Sequence, residues 1–324
     1  MKYFFILTLV LLPSIATSAD IKPLLDQEHT LVNKIWDVRQ QTFVSQHEVK
    51  KALVKAHYVF LGESHDNPIH HELQNWALKA LIKQHPSMGV AFEMIDNSQI
   101  EKIDWNTIAN ANALFDAIDW DKSGWPTRTL YHDIFQTVID AKLPIYSANL
   151  PRDSLREVIA KSTAPTPEIQ QLLEQRPLTE KESDAMLNEL RESHCNMLPE
   201  RYVSGMITGQ RVRDALMASS LLNHQNNSPA VLVAGKAHGR LDRGAPAFIR
   251  QQHPNAKMLS IGWHEVQSDK TTPNDYIAIW NSKTLPFDYV WFTPRVDRPD
   301  PCDEIKKFLD KKRAKDNADK AEKT

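Results

Sequence analysis

Cysteine is scarce in this chain, which has only Cys195 and Cys302 among its 324 residues. Neither lies near the N-terminus, so the sequence excludes a lipid attached at a cysteine beside an N-terminal cleavage site. In an oxidising compartment the two cysteines can pair, and the bond would tie the middle of the chain to its C-terminal part. The alternative is two separate thiols, both open to oxidation.

The chain also lacks a strong charge of either sign and a long apolar run. Its formal net charge is -2, which gives no general attraction to nucleic acid or to an anionic membrane. The N-terminal apolar run is about half of the roughly 20 residues that a membrane-spanning helix needs. With 41% hydrophobic and 25% charged residues, the composition is that of a folded globular chain.

The N-terminal residues have the pattern of a secretory signal. Lys2 precedes the apolar run over residues 3–12, Pro13 ends the run, and residues 16–19 (ATSA) are small. A charged head, an apolar middle and a small-residue cleavage site are what export requires. We therefore predict a signal peptide over residues 1–19 and an exported, soluble periplasmic protein without membrane insertion after cleavage. The alternative is a retained N-terminal anchor.

Short β-branched and aromatic runs alternate with helix-like stretches through the rest of the chain. This alternation predicts an α/β fold with a mainly parallel sheet flanked by helices. The predicted strands are residues 57–61 (HYVFL), 89–93 (GVAFE), 143–148 (LPIYSA), 229–234 (PAVLVA), 256–261 (AKMLSI), 275–280 (DYIAIW) and 289–292 (YVWF). The last two follow each other closely and are expected to be late or edge strands.

One α/β domain over residues 20–302 accommodates these strands, with an insertion of about residues 153–222. That stretch is polar, helix-like and punctuated by proline, which indicates a helical cap subdomain over one sheet edge. The alternative is ordinary crossover helices, although a crossover needs far fewer residues. The tail over residues 303–324 is dense in charge of both signs, and we assign it no chemistry.

Three predicted strands end in residues suited to chemistry. The residues at these strand ends are Glu63, His65, His70 and His71 within residues 62–71 (GESHDNPIHH), Glu93 within FEMID, and His238 within residues 234–239 (AGKAHG). Ligands of open α/β sheets collect at the carboxyl ends of the strands. If the strands are neighbours, Glu63, His65, Glu93 and His238 converge. The set could then bind a divalent metal, or form a hydrogen-bonded network of carboxylate–histidine pairs.

Other polar residues near these ends have simpler interpretations. Asp66 or Asn67 suits the N-cap of a helix whose first turn contains Pro68. Arg152, Arg240 and Arg243 would suit the capture of carboxylates or phosphates at the rim of a pocket. The alternative for each arginine is solvated surface charge.

The motifs, taken in order, resemble those of the ChaN haem-binding uptake proteins within the Tiki and erythromycin-esterase-like superfamily. They are residues 62–71, FEMID, 149–152 (NLPR), 193–195 (SHC), 210–218 (QRVRDALMA), 235–238 (GKAH) with 244–246 (GAP), and 300–302 (DPC). The resemblance implies an α/β fold with a helical subdomain, haem as ligand, and a role in haem or iron uptake. Family members are often lipoproteins, and this chain departs from them by lacking the lipid-attachment cysteine.

The resemblance also implies a set of binding residues. Glu63, His65, His71, Glu93 and His238 are the counterparts of the family's pocket residues, and Tyr131 and Tyr202 are candidates for a tyrosine ligand to iron. The residues expected to bind haem are His65, His70, His71, Tyr131, Tyr202, His238, Arg152, Arg240 and Arg243. Expected partners are an outer-membrane haem receptor or a periplasmic haem carrier, and a second copy in a homodimer.

Methionines in the insertion are candidates for the apolar roof of such a pocket. They are Met186, Met197, Met206 and Met217. Haem is a flat apolar disc, and polarisable methionine side chains can pack against it. Ordinary core packing is the alternative for each of them.

Besides haem binding without catalysis, the sequence is compatible with two other functions. A metal-dependent hydrolase would use Glu63 or Glu93 as general base, with His65 and His238 as metal ligands or proton shuttle. A serine nucleophile has no support, since Ser64 lacks the flanking glycines of a nucleophile elbow. In a scaffold protein the polar cluster would be purely structural.

Overall fold

The computed structural model describes residues 22–224, 228–300, 302–303, 305–307 and 310. The predicted signal peptide and most of the charged tail lie outside these residues. The strands are β1 (Leu24–Leu25), β2 (Ile35–Asp37), β3 (Thr42–Val44), β4 (Tyr58–Glu63), β5 (Gly89–Asp96), β6 (Ile145–Asn149), β7 (Ala230–Gly235), β8 (Met258–Glu265), β9 (Tyr289–Thr293) and β10 (Arg295–Val296).

Helices occupy the connections between most of these strands. They are α1 (Gln46–Leu53), α2 (Pro68–Ile82), α3 (Asn97–Ile100), α4 (Ala111–Ala117), α5 (Trp120–Ser123), α6 (Arg128–Asp140), α7 (Arg152–Lys161), α8 (Pro167–Gln175), α9 (Glu180–Ser193), α10 (Val203–His224) and α11 (Ala245–Gln252). Short 3₁₀ turns cover Glu200–Tyr202, Pro273–Tyr276 and Ala278–Trp280.

The main sheet has eight strands in the order β3-β2-β9-β8-β4-β7-β5-β6. Neighbouring strands from β9 to β6 run parallel, whereas β2 pairs antiparallel with both β3 and β9. A separate antiparallel pair joins β1 to β10. The predicted α/β fold with a mainly parallel sheet is confirmed.

The central strand β4 is buried along its whole length, because helices cover both faces of the sheet. Val59 and Leu61 pack in one apolar core, and Tyr58 and Phe60 pack in the other. Helices α2 and α6 contribute to the first core, and α10 and α11 contribute to the second. This alternation is what a strand buried on both faces requires.

The stretch over residues 153–222 is helical, and its helices take two positions. The last of them, α10, packs against β5, β6, β7 and α11, as a crossover helix would, and it buries Met217 completely. Helices α8 and α9 pack against α10. The stretch therefore contains both a sheet-covering helix and helices that lie against it.

The strand predicted over residues 275–280 is wrong. In its place stand the two 3₁₀ turns Pro273–Tyr276 and Ala278–Trp280. The local reason is a capping box, in which the backbone N–H of Thr272 donates to Asp275 Oδ2 at 2.7 Å, with Pro273 at the first helical position. Such a start favours a helical turn over an extended strand.

Cys195 and Cys302 form a disulfide, with their Cα atoms 5.6 Å apart. The predicted pairing is therefore confirmed. The bond fixes the turn that follows α9 to the C-terminal part of the chain. Within the described ranges, no helix has the length and apolar character needed to cross a membrane.

Candidate functional site

The carboxyl ends of β4, β7 and β5 meet because these strands are neighbours in the sheet. Glu63 ends β4, Glu93 lies in β5, and His238 follows β7. His65 Nε2 lies 3.8 Å from Glu93 Oε2, and His238 Nε2 lies 3.6 Å from Glu93 Oε1. The four residues expected to converge do so, and with their partners Tyr131, His71, Arg213 and Asp214 they form what we call the strand-end cluster.

Glu63 is the centre of one half of this cluster. Its Oε1 accepts hydrogen bonds from the hydroxyl of Tyr131 at 2.8 Å and from Nδ1 of His65 at 2.9 Å. Its Oε2 lies 2.8 Å from Nδ1 of His71. Burial opposes ionisation of Glu63, but the charge of His71 and the bonds from the two histidines outweigh it, so its pKa lies well below the ordinary value.

His71 has an acceptor group beside each of its ring nitrogens. Its Nε2 lies 3.0 Å from the backbone carbonyl oxygen of His65, which can only accept a hydrogen bond. Its Nδ1 faces the Glu63 carboxylate, which also only accepts when ionised. His71 Nε2 therefore carries a hydrogen, and its Nδ1 lies against the buried Glu63 carboxylate. Tyr131 is fully buried beside them, and burial raises the pKa of its hydroxyl well above the ordinary value.

His65 is the histidine of the cluster that reaches solvent, with 34% of its side chain exposed. Its Nδ1 donates to Glu63, so Nε2 is the nitrogen that faces Glu93. Burial alone would lower the pKa of His65, but the hydrogen bond to Glu63 and the charge of Glu93 raise it. A Cβ at Gly235 would lie 2.9 Å from Nε2, so the ring position depends on glycine there.

Glu93 is the centre of the other half of the cluster. Its Oε1 accepts from Nη2 of Arg213, and its Oε2 accepts from the backbone N–H of Gly235 at 2.7 Å. Burial opposes ionisation, yet His238, Arg213 and His65 together hold the pKa of Glu93 down to about 2. Glu93 is therefore a carboxylate at neutral pH.

His238 and Asp214 form the second carboxylate–histidine pair. His238 Nδ1 lies 2.6 Å from Asp214 Oδ1 and 3.2 Å from Nε2 of Gln210. Both side chains are almost fully buried, and burial raises the pKa of Asp214 despite the nearby His238. This arrangement is a hydrogen-bonded network of carboxylate–histidine pairs, which the sequence analysis gave as the alternative to a metal site. Across the residues described here, no three His, Cys, Asp or Glu side chains are placed to hold a metal ion.

A polar cleft and a more apolar cavity border the strand-end cluster. A polar cleft of about 390 Å³ is lined by Glu93, Arg213, Trp125, Arg152 and Lys122, among others. A more apolar cavity of about 520 Å³ lies between α9, α10 and the Ala278–Trp280 turn. Its apolar walls are Met186, Leu190, Met206, Ile207, Ile279 and Trp280, and its polar lining includes His194, Gln210, Asp214, Arg240 and Arg243.

Several residues expected to bind haem lie elsewhere or already have partners. His70 is fully buried, with Nδ1 accepting from the backbone N–H of Ser64 and Nε2 lying 2.8 Å from Thr293 Oγ1. Tyr202 is 41% exposed in the 3₁₀ turn before α10, with Arg201 over its ring. Neither residue lines the apolar cavity or the polar cleft.

The two arginines after β7 line the apolar cavity but are not free rim charges. Arg240 donates to Asp242 at 2.6 Å and to Glu189 at 2.6 Å, and Arg243 pairs with Glu189. Both are buried. A ligand carboxylate would have to compete with these partners.

Arg213 and Asp214 were not among the predicted site residues. Both lie on α10, far in sequence from the strands whose ends they reach. The available signal was the QRVRD sequence, which places three charged residues within α10, a helix that has no other Lys, Arg, Asp or Glu. Lys236 was missed as well; it is partly buried, donates to Ser64 Oγ, and has a pKa lowered by desolvation.

The fold and the cluster together define an α/β protein with a buried polar centre at the strand ends and a helical layer over it. Residues 49–249, more than half of the chain, match the family described as haem-binding uptake, Tiki superfamily, ChaN. The chain belongs to this family. No curated protein matches the chain.

Among the solved structures that match the chain is that of cofacial heme binding to ChaN of Campylobacter jejuni. It is 24% identical, covers 79% of this chain and 95% of that chain, and has a TM-score of 0.62. The match to an erythromycin esterase mutant, EreC in its open conformation, covers 84% of this chain and 99% of that chain. The two are 10% identical, with a TM-score of 0.41. The match to the type III effector HopBA1 covers 76% of this chain and 91% of that chain, at 10% identity and also with a TM-score of 0.41.

Proposed function

We propose that this protein is an exported haem-binding protein of the ChaN type that acts in haem or iron uptake or transfer. Membership of the family supports haem as the ligand, and the Campylobacter jejuni relative is described by its cofacial heme binding. The observation in this chain that carries the proposal is the apolar cavity beside the strand-end cluster. Its volume of about 520 Å³ lies within the range of small-molecule pockets.

The lining of this cavity offers apolar side chains for the disc of haem and cationic or amide side chains for its carboxylates, beside the carboxylates of Glu189, Glu192 and Asp214. Haem offers a flat apolar disc, two carboxylates, and an iron that accepts imidazole or phenolate. Met186, Met206 and Trp280 belong to the apolar walls, and Arg243 and Gln210 belong to the polar lining. Arg243 would hold a propionate only by sharing it with its present partner Glu189.

Export is supported by the disulfide between Cys195 and Cys302. Disulfides persist in oxidising compartments and are rare in the cytosol of most organisms. The periplasm is the proposed location, in keeping with the signal pattern over residues 1–19. An outer-membrane haem receptor or a periplasmic haem carrier is the proposed partner, and a second copy of the chain is a further one.

Titration of the purified protein with hemin tests this function. We expect a saturable shift of the Soret band near equimolar hemin. Met206→Glu places a carboxylate in the cavity wall and should weaken binding by about tenfold or more, since burying an unpaired charge is costly. Ser204→Glu adds the same charge at an exposed position of α10 and should leave binding unchanged. No Soret shift with the unaltered protein would contradict the proposal.

A second function is favoured by the geometry of His65. Its Nδ1 donates to the buried Glu63 carboxylate, and the ring is partly exposed with Nε2 on the side of Glu93. An imidazole oriented by a carboxylate is the arrangement of a general base that removes a proton from water. In a hydrolase of this type His65 would activate water, and Arg213 would stabilise developing negative charge.

Hydrolysis of simple esters or peptides by the purified protein separates the two functions. A hydrolase should lose about a hundredfold or more of its rate in His65→Ala, in line with the contribution of a general base. His132→Ala removes a partly exposed histidine of α6 and serves as the control. Equal rates in all three proteins would eliminate this second function without affecting haem binding.

A further inference from the structure

Two arginines line the polar cleft beside the strand-end cluster, Arg152 and Arg213. Arg152 is the first residue of α7 and is exposed. Within the part of the chain that the structure describes, no residue forms a hydrogen bond or an ion pair with its side chain. A guanidinium group has five N–H donors in a planar fork that matches carboxylate and phosphate groups. The side chain of Arg152 is therefore available to an anionic ligand in the cleft.

Arg213 uses only part of its guanidinium within the protein. Its Nη2 donates to Glu93, while its Nε is buried without a hydrogen-bond partner. Among the described residues, none accepts a hydrogen bond from its Nη1 either. The side chain is 20% exposed. Because unmet donors in a largely buried place are costly, they favour an acceptor group in the cleft.

The N-terminus of α7 adds positive potential at the same place. The helix has ten residues, and its N-cap residue Pro151 provides no side-chain hydrogen bond to the N–H groups of the first turn. Asn149 and Leu150, just before the helix, line the cleft together with Arg152. N–H groups at a helix N-terminus carry partial positive charge and favour bound phosphate. This end of the helix therefore supports the two arginines.

The loop after α5 forms the opposite side of Arg152 and carries an aromatic ring. Gly124 has a left-handed φ of 86°, and a Cβ there would lie 3.4 Å from Nη2 of Arg152. The next residue, Trp125, is half-buried and lines the cleft. Its ring meets that of His65 edge-on, with the ring centroids 5.0 Å apart. The loop thus brings a flat aromatic side chain to the cleft that the two arginines line.

The cleft also contains carboxylates, and their partners decide what they can bind. Glu93 already accepts from Arg213 and from the backbone N–H of Gly235. Asp96 accepts from Ser98 and from the backbone N–H of Gln99, in both cases through Oδ1. No described residue donates to Oδ2 of Asp96. This oxygen can accept a hydrogen bond from a ligand hydroxyl.

We propose that the polar cleft binds a small phosphate ester that carries hydroxyl groups, such as a sugar phosphate. Arg152 and Arg213 bind the phosphate group beside the N-terminus of α7. Asp96 accepts from a hydroxyl of the ligand, and the ring of Trp125 packs against its carbon atoms. Two guanidinium groups and a helix N-terminus favour a doubly charged phosphate over a singly charged carboxylate.

The site is separate from the apolar cavity that we propose for haem, since the cleft and the cavity share no lining residue. The volume of the cleft, about 390 Å³, lies within the range of small-molecule pockets. The phosphate ester is therefore a second ligand of the protein, and its binding does not depend on that of haem.

Isothermal titration calorimetry of the purified protein with glucose 6-phosphate, inorganic phosphate and glucose tests the proposal. We expect glucose 6-phosphate to bind more tightly than inorganic phosphate, and glucose not to bind. Arg152→Gln should weaken the binding of glucose 6-phosphate by about tenfold or more, because it removes a charge-assisted hydrogen bond. Arg156→Gln is the matched control, since Arg156 lies one turn later on α7, pairs with Asp153 and does not line the cleft. It should leave binding unchanged.

Equal affinity of the unaltered protein and Arg152→Gln for glucose 6-phosphate would overturn the proposal. So would glucose 6-phosphate that binds no more tightly than inorganic phosphate. Protein saturated with hemin should bind glucose 6-phosphate with the same affinity, and competition between the two would overturn the separate site by showing that the cleft takes a haem carboxylate. Absence of hemin binding would refute the proposed haem function and leave the phosphate site standing.

Discussion

At the scale of single residues, Glu93 shows how the strand-end cluster depends on its charges. The carboxylate is buried and is held by Arg213, His238, His65 and the backbone N–H of Gly235. The same contacts that lower its pKa stabilise the fold whenever Glu93 is ionised. Protonation would leave Arg213 without a counter-charge in a partly buried place.

The lowered pKa of Glu93 predicts acid sensitivity. Because the pKa falls from 4.5 to about 2 on folding, the stabilisation is complete above pH 4.5 and is lost as the pH falls towards 2. At about 1.4 kcal/mol per pKa unit, this amounts to about 3 kcal/mol. Urea unfolding between pH 6 and pH 2 measures it, with Glu93→Gln expected to flatten the dependence. Glu72→Gln, at an exposed position, should leave the dependence of the free energy of unfolding on pH unchanged. The same dependence in all three proteins would contradict the prediction.

The residue scale also shows where sequence reasoning stops. The positions of Glu63, His65, Glu93 and His238 at predicted strand ends were enough to predict that they converge if the strands are neighbours. The structure supplies the strand order. The fate of His70 was not predictable, because one of its partners, Thr293, lies 223 residues away in sequence. Asn67 caps α2 as expected, whereas Asp66 pairs with Arg298, a contact that no local pattern reveals.

At the scale of elements, the close approach of α7 and α10 depends on glycine. A Cβ at Gly205 of α10 would lie 2.0 Å from the backbone carbonyl oxygen of Ile159 in α7. A Cβ at Gly209 would lie 2.8 Å from Cγ1 of the same isoleucine. The first contact is with backbone, which cannot move aside, and the second is with a side chain that can.

These contacts predict that Gly205→Ala destabilises the protein more than Gly209→Ala does. Alanine raises helix propensity by about 1 kcal/mol, but the clash at position 205 should outweigh this gain by about 1–3 kcal/mol. Urea unfolding of the two variants makes the comparison, and the gain in propensity is common to both. Equal or greater stability of Gly205→Ala would show that the two helices can separate at little cost.

Elements differ in how far the sequence predicts them. The parallel strands β4 to β9 were predicted because their apolar runs are buried on both faces. Strands β2 and β3 were missed, since each has three residues and depends on pairing, β3 with β2 and β2 also with the distant β9. The stretch over residues 275–280 has the composition of a strand, but the capping box at its start favours helical turns.

At the scale of the whole molecule, the disulfide closes a large loop. Cys195 and Cys302 are separated by 107 positions. A cross-link of that span removes chain entropy from the unfolded state, and the effect for a loop of about 100 residues is roughly 4.7 kcal/mol in the chain-entropy treatment. The bond therefore reduces the number of conformations open to the unfolded chain. In the folded protein it also holds the turn beside the apolar cavity.

Removal of the disulfide should lower the free energy of unfolding by about 2–5 kcal/mol. The variants are Cys302→Ser alone and the double change with Cys195→Ser. Dithiothreitol should destabilise the unaltered protein to the level of the double variant and leave the double variant unchanged. A double variant as stable as the oxidised protein would show that the bond does not contribute to stability.

The short pair of β1 with β10 has a consequence for the order of assembly. Leu24 lies opposite Val296, and Leu25 lies opposite Arg295, so β1 has no partner until nearly 300 residues have been synthesised. Contacts this distant in sequence close slowly. A ribosome-bound chain would thus hold β1 unpaired almost to the end of translation.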